Sequence, residues 1–114
     1  MSSIFPWQSN VPTCHNYWKL NTLKTPSITD IGVNLTNDRF NKDLADTLQR
    51  GLDAGVHRHI ITGTSLSTSQ HALELSLDDS LPCQRFATAG FHPHSASENN
   101  PKSWQQLTAL WQHP

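Results

Sequence analysis

Three strand-like runs, each breaking into polar residues and separated by helix-patterned sequence, predict an α/β fold. They cover residues 28–33, 56–64 and 85–90 of the 114-residue chain. Their starts are about 30 residues apart, the spacing of βαβ units with right-handed crossovers and parallel strands. We expect about three consecutive βα units with a parallel sheet, a partial TIM barrel. A complete barrel takes about 250 residues.

The chain divides into two parts by pattern. Residues 1–27 contain three prolines and show neither a two-residue nor a 3.6-residue apolar period, which predicts an irregular N-terminal extension. Residues 28–114 carry the periodic elements and are the predicted barrel portion. Hydrophobic residues make up 35% of the chain, which is little core for its length and would be explained by a missing remainder of the barrel.

The first βα unit is the clearest. Its strand is rich in β-branched residues and leads into the polar run 34–37, which is typical of a loop and a helix cap. A helix over residues 41–54 follows, with one apolar stripe opposite polar positions. Gly55 stands where a left-handed residue closes a helix. The members of the stripe are Leu44, Ala45, Leu48 and Leu52.

The second unit begins with a continuously apolar strand centre, Ile60 and Ile61, as in parallel sheets covered by helices on both faces. Ser67 and Gln70 fit a capping box, which predicts a helix over about residues 68–77. Its expected inner face is Ala72, Leu73 and Leu77.

The third strand leads into a histidine-bearing loop and then a last helix. Asn100 is a cap residue before Pro101, which suits the first helical position. The residues expected on one helical face are Trp104, Leu107, Thr108 and Trp111.

Composition narrows the class of protein. Eight basic and nine acidic residues give a formal net charge of −1, so no polyanion-binding footprint is evident and a nucleic acid would have to be held locally. Cys14 and Cys83 form no metal-binding or redox pair, which favours free thiols in a reducing compartment. No signal peptide or membrane-spanning run is recognisable, which predicts a cytoplasmic protein that does not bind membranes.

Two groups of residues could carry chemistry. Asp30, Gly32 and Asn34 alternate, so in an extended strand they share one face, although Asp30 and Asn34 are also typical of strand-ending turns. The run 90–94 presents His92 and His94 from a proline-fixed loop at a strand end. Such an imidazole can bind a metal, donate to a phosphate or move a proton, or it can be a plain exposed loop residue.

A second His-x-His pair, His57 and His59, has the same spacing but lies at the amino end of its strand. That end of a βα barrel serves stability, so no ligand role is expected. His15, His71 and His113 have no companions and are assigned no role.

Five motifs occur in order along the chain, at residues 30–36, 53–56, 61–64, 69–70 and 88–94. Taken together, they resemble the N-terminal part of TatD-type deoxyribonucleases, metal-dependent hydrolases on an amidohydrolase-like TIM barrel. The resemblance covers about residues 28–114. Gly32 and Asn34 take the places of a His-x-His pair that much of the family carries on its first strand.

The resemblance implies exonucleolytic hydrolysis of DNA phosphodiester bonds through a metal-activated water, with Mg²⁺ as the expected ion. It implies that His92 and Asn34 are catalytic residues and that Thr64 and His94 bind substrate. The expected role of His92 is a contact to substrate or phosphate, and Asn34 would be a weak metal ligand or an orienting hydrogen-bond partner. In the family the remaining acidic and histidine ligands come from later strands. We therefore expect metal binding by these residues to be weak or absent, and the chain to be an inactive fragment on its own.

Two other classes of function stay open. The chain could be a noncatalytic α/β interaction module that uses its tryptophans as a binding surface, or an amidohydrolase-like enzyme acting on another small ester or amide. In either case a partial barrel leaves a strand edge uncovered, which favours self-association.

Overall fold

The computed structural model describes residues 26–113 and contains the predicted parallel sheet. Three strands lie in the order β1 (Ile28–Val33), β2 (Val56–Ile61) and β3 (Gln84–Ala87). Each is followed by a helix: α1 (Leu44–Asp53), α2 (Leu66–Leu77) and α3 (Pro101–Leu110). Short 3₁₀ helices at Asp38–Phe40 and Pro93–Glu98 lie in the first and third connections. The α/β fold of a partial TIM barrel is confirmed, whereas the predicted extension falls almost entirely outside the described residues.

The strands pair in a register that separates the two faces of the sheet. Ile31 pairs with Ile60, and Ile60 with Phe86, so these three residues share one face. Ile31 is 75% exposed and Phe86 is 51% exposed. This face, which corresponds to the interior of a closed barrel, is open in the described part of the chain.

The core lies on the opposite face of the sheet, under α1 and α2. Its buried residues come from the first loop, α1, β2 and α2, and Leu107 of α3 is also fully buried. Burial of leucine and isoleucine side chains of this kind contributes roughly 2 kcal/mol each. The members of this cluster are Leu35, Leu48, Ile61 and Ala72.

Side chains along β1 do not alternate between the two faces of the sheet as predicted. Gly32 has a φ of +81°, and the register with β2 shifts between Ile31 and Val33. An irregularity of this kind breaks the two-residue period of a strand. The argument that Asp30, Gly32 and Asn34 share one face is therefore wrong, because it assumed a regular strand.

The first residues of α1 and the capping residues of α2 differ from the sequence prediction. The helix predicted from residue 41 begins at Leu44 after a turn, and the capping box of α2 is formed by Ser65 and Thr68 rather than by Ser67 and Gln70. Ser65 accepts a hydrogen bond from the Thr68 N–H, while the Thr68 hydroxyl accepts from the Ser65 N–H at 2.8 Å. The strands also end earlier than predicted, at Ile61 and Ala87.

Two predicted buried faces are partly wrong. Ala72 of α2 is buried, but Leu77 is 48% exposed at the end of the helix. In α3, Asn100 caps the helix as predicted, yet the buried residues are Ser103 and Leu107 while Trp104 and Trp111 are exposed. The described elements offer a partner for only part of each apolar stripe.

Arg85 fixes the connection between α2 and β3. Its Nε donates to the Leu75 carbonyl at 2.8 Å, and Nη2 donates to the Asp78 carbonyl. Nη1 lies 2.6–2.9 Å from three further carbonyl oxygens, which share its two N–H groups. A guanidinium has five N–H donors, so one side chain satisfies carbonyls on both sides of the turn. The acceptors of Nη1 are Leu81, Pro82 and Cys83.

The pKa of the Cys83 thiol is raised. Burial raises this pKa, and its effect is larger than that of the Arg85 charge, which lowers it. The thiol Sγ lies 3.6 Å from the Leu48 carbonyl oxygen and is not in a disulfide. Cys14 lies outside the described residues.

Within residues 26–113, no helix is long and apolar enough to cross a membrane.

Candidate functional site

The candidate site is the edge of the sheet where all three strands end. Because β1, β2 and β3 are parallel and adjacent, their carboxyl ends lie side by side. Asn34 follows β1 directly, Thr64 lies in the loop after β2, and His92 lies in the loop after β3.

Backbone hydrogen bonds continue past the strands and join their loops. The Thr62 N–H donates to the Val33 carbonyl at 3.1 Å, and the Gly63 N–H donates to the Thr88 carbonyl at the same distance. The His92 N–H then donates to the Thr64 carbonyl at 2.8 Å. The loop that carries His92 is thus attached to the loop that carries Thr64.

Gly63 permits the close approach of these loops. A Cβ at Gly63 would lie 2.5 Å from the Thr88 carbonyl oxygen and 2.7 Å from Ser69 Cα, and it would also collide with Ser69 Oγ. Two of these atoms belong to the backbone, so they cannot rotate away. Only glycine fits between α2 and the third strand end.

Ser69 completes this arrangement from α2. Its side chain is 1% exposed, and its Oγ accepts a hydrogen bond from the Gly90 N–H at 3.2 Å. Gly90 is the first residue of the predicted histidine motif, so Ser69 positions the start of that loop. This role of Ser69 was not predicted from the sequence, because a serine inside a helix does not indicate which distant backbone group it contacts.

Asn34 and Thr64 line one surface pocket of about 440 Å³. The Asn34 side-chain oxygen accepts a hydrogen bond from the Thr36 hydroxyl at 3.0 Å, which leaves its amide nitrogen as the group able to donate to a ligand. The pocket also contains His71, to which the sequence assigned no role, at the side of α2. The other lining residues are Thr36, Asn37, Asp38, Ser67 and Thr68.

His92 and His94 form a pair on the neighbouring loop. The His94 N–H donates to His92 Nδ1 at 3.2 Å, and the two rings meet edge to face with centroids 4.6 Å apart. Since Nδ1 accepts, the proton of a neutral His92 imidazole lies on Nε2. His92 is exposed, so this Nε2–H is a donor suited to an anionic ligand.

The four predicted site residues are therefore brought to one edge but not into one pocket. Asn34 and Thr64 share a pocket, Thr64 and His92 are joined through the backbone, and His94 touches only the His92 end. Their catalytic and substrate-binding roles stay predictions.

His59 is the unusual titratable group of the sheet. It lies in the middle of β2, is 6% exposed, and neither ring nitrogen has a hydrogen-bond partner. The pKa of His59 is lowered, chiefly by burial. The charge of Asp30 raises this pKa, and the charge of Arg85 lowers it. Asp30 and Arg85 are its register neighbours on β1 and β3. This position is away from the strand ends.

A metal site is not formed by these residues. In the part of the chain that the structure describes, no three histidine, cysteine or acidic side chains lie close enough to hold an ion. Mg²⁺ prefers near-octahedral oxygen ligands and one or two carboxylates, whereas Asn34, His92 and His94 offer an amide and two imidazoles. The donor set does not fit Mg²⁺.

A run of βα units with polar groups at the carboxyl ends of its strands defines a barrel segment of the class that builds enzyme sites on its rim. The sequence model of one such family, described as TatD related DNase, matches residues 29–114. The chain belongs to this family.

Curated relatives agree with this assignment. The chain is 44% identical over 85 residues to a protein of Edwardsiella piscicida, a match that covers 75% of this chain and 32% of the relative. It is 46% identical over 79 residues to a protein of Escherichia coli K12, covering 69% of this chain and 27% of the relative. Both relatives are named 3'-5' ssDNA/RNA exonuclease TatD. The chain spans about a third of the length of these relatives.

Proposed function

We propose that this chain is the N-terminal part of a TatD-type nuclease that hydrolyses DNA phosphodiester bonds exonucleolytically. The observation that carries the proposal is the backbone connection of His92 to Thr64 beside Asn34, at the strand ends of a chain in this family. The names of the relatives support single-stranded DNA as the substrate to test first.

Each side chain is given a role that its geometry allows. His92 donates its Nε2–H to a nonbridging phosphate oxygen, because Nδ1 is already occupied by the His94 N–H. Asn34 donates through its amide nitrogen, and the Thr64 hydroxyl borders the same pocket. His94 supports the orientation of His92 and borders the bound substrate. Donors aimed at the phosphate stabilise charge that develops during hydrolysis.

Metal binding is proposed for the whole enzyme and not for these 114 residues alone. The proposed ion is Mg²⁺, which would supply an activated water when bound, but the described residues do not form its binding site. We propose that other segments of the enzyme supply its ligands, and that the 114 residues alone are inactive. The boundary of the barrel portion at residue 28 and a cytoplasmic location also stay predictions.

Two assays test this proposal. In the first, the purified 114-residue chain is incubated with Mg²⁺ or Mn²⁺ and single-stranded DNA. We expect no digestion. Robust turnover that is lost in His92→Ala would show that the ligands absent from these residues are dispensable.

In the second assay, residues 29–114 replace the matching segment of the Escherichia coli relative. We expect this chimera to digest single-stranded DNA from an end. A chimera that folds and binds DNA but leaves it intact would contradict the proposed function. Profiling the same chimera on small phosphoesters and amides separates DNA hydrolysis from another amidohydrolase-like activity.

The exposed sheet face favours a second candidate, a noncatalytic interaction module. Ile31 and Phe86 present apolar surface that the described residues do not cover. Through this face and the free strand edges the chain would also self-associate. Analytical ultracentrifugation of the wild type and Ile31→Glu tests the self-association: a dimer or larger species that dissociates in the variant supports it, and a monomer in both contradicts it. The interaction module itself would be supported by a stable monomer or dimer that binds a protein partner and does not respond to metals.

A further inference from the structure

We propose that Phe91, Trp104 and Trp111 form a base-stacking platform for single-stranded nucleic acid next to the His92 loop. This inference rests on the proposed nuclease function and deepens it, because it assigns substrate-binding residues outside the histidine motif.

The three aromatic rings form a continuous row. The Phe91 and Trp104 rings are stacked, with centroids 6.2 Å apart and planes 26° apart. The Trp104 and Trp111 rings meet edge to face at 5.6 Å. Trp111 is held by a 3.3 Å hydrogen bond from its indole Nε1 to the Ala89 carbonyl. The row is thus attached to the loop after β3 at Ala89 and Phe91.

The central ring is available to a ligand. Trp104 is 46% exposed, although large aromatic side chains are normally well buried. It borders an open cavity of about 480 Å³ together with Asn99, Asn100 and Pro101. This lining combines flat apolar surface with the amide of Asn99 and has no charged side chain, while the Asn100 amide is used in the cap of α3. A nucleobase has the matching chemistry, a π-face with hydrogen-bonding edges.

The position favours nucleic acid over a protein partner. Phe91 directly precedes His92, and Asn100 begins α3 at the same end of the sheet, where the third strand connects to its helix. A strand whose phosphate contacts His92 would bring neighbouring bases to the aromatic row. Stacking on aromatic rings contributes binding free energy in addition to that from charge, which matters for a chain with a formal net charge of −1.

The test is binding of a short oligothymidine to the full chain in EDTA, measured by fluorescence anisotropy, with Trp104→Ala and Trp104→Phe as variants. We expect Trp104→Ala to weaken binding by about fivefold or more and Trp104→Phe to retain most of it, since a phenyl ring still stacks. Ile28→Ala, which removes a 44% exposed apolar side chain at the start of β1, away from the strand ends, is the matched control and should bind as the wild type does.

An abasic strand of equal length separates stacking from a structural effect. We expect it to bind weakly and to be insensitive to Trp104→Ala. Tryptophan indole NMR signals of the wild-type chain give a second measurement should Trp104→Ala not fold: the signal lost in Trp104→Phe should shift with oligothymidine and not with the abasic strand.

Three outcomes would overturn the proposed platform. They are equal binding by the wild type and Trp104→Ala, no binding of oligothymidine at all, and an unshifted Trp104 signal. None of these outcomes affects the hydrolysis assay on the chimera, so a failed platform and a failed nuclease assignment are distinguishable.

Discussion

The backbone N–H of His92 donates a 2.8 Å hydrogen bond to the carbonyl of Thr64. This contact fixes the loop after β3 against the loop after β2 without using either side chain. The imidazole of His92 therefore stays exposed and available for chemistry, while its backbone is held in place. Substitution of the His92 side chain should leave the loop attached.

His94 should contribute less than His92. Its backbone N–H, rather than its imidazole, donates to His92 Nδ1, and that donor survives in His94→Ala. We expect His94→Ala to lower the DNA digestion rate of the chimera by less than about tenfold, well below the 10²-fold or greater loss typical of a general acid or base. A loss at least as large as that of His92→Ala would assign His94 the main role instead.

Gly63→Ala should destabilise the fold, because its methyl group meets backbone atoms of Thr88 and Ser69. We expect a loss of roughly 2 kcal/mol in the free energy of unfolding, as for overpacking of a closed site. Urea denaturation followed by circular dichroism gives this value.

Gly90→Ala is the matched control for this substitution. A Cβ at Gly90 would meet no atom within 4 Å, so we expect almost no change in stability. Similar stabilities for the two alanine variants would contradict the close approach at Gly63.

Arg85→Lys should lower stability although it preserves the charge. The lysine ammonium has three donors on one atom and cannot reach carbonyls on both sides of the turn at once. We expect a loss of about 2 kcal/mol in the free energy of unfolding, the scale of charge-assisted hydrogen bonds left unmade. Arg58→Lys, on the exposed side of β2, is the control and should change stability little. Equal effects would mean that the carbonyl contacts of Arg85 do not stabilise the chain.

His59 should make stability depend on pH. Burial lowers its pKa in the folded chain, so the folded state binds fewer protons than the unfolded state. The contribution of neutral His59 to the free energy of unfolding is then fully present above the unfolded pKa of about 6.5. It is lost as the pH falls below that value toward the lower pKa of the folded state. Denaturation at several pH values between about 5 and 8 measures the slope.

His59→Leu should flatten that slope and raise stability at the acidic end, because it removes two buried nitrogens that lack partners. His57→Leu, on the same strand, controls for the general loss of a histidine. An unchanged slope in His59→Leu would show that another group titrates.

Sequence patterns predicted the elements better than their details. Spacing and β-branched runs gave three strands and three helices, and Asn100 before Pro101 correctly marked the start of the last helix. Two local predictions failed. The side chain of Ser65, not that of Ser67, caps α2, and Gly32 interrupts the alternation of side chains expected on β1.

For the site, the sequence identified which residues stand at strand ends but not how they are joined. Nothing in the local pattern around Ser69 or Arg85 indicates that their side chains bind backbone groups 21 and 10 residues away. The exposure of Trp104 was likewise missed, since a helical apolar stripe predicts burial and cannot reveal whether a neighbouring element covers it.

The most direct test of the account is the rate at which the chimera carrying residues 29–114 digests single-stranded DNA, compared with the same chimera carrying His92→Ala. We predict at least about a 100-fold lower rate in the variant, with the fold retained, because the loop stays attached through the His92 backbone while the imidazole proposed to contact the phosphate is removed. Equal rates in two equally folded proteins would contradict the claim that these strand ends form the reactive edge of a nuclease.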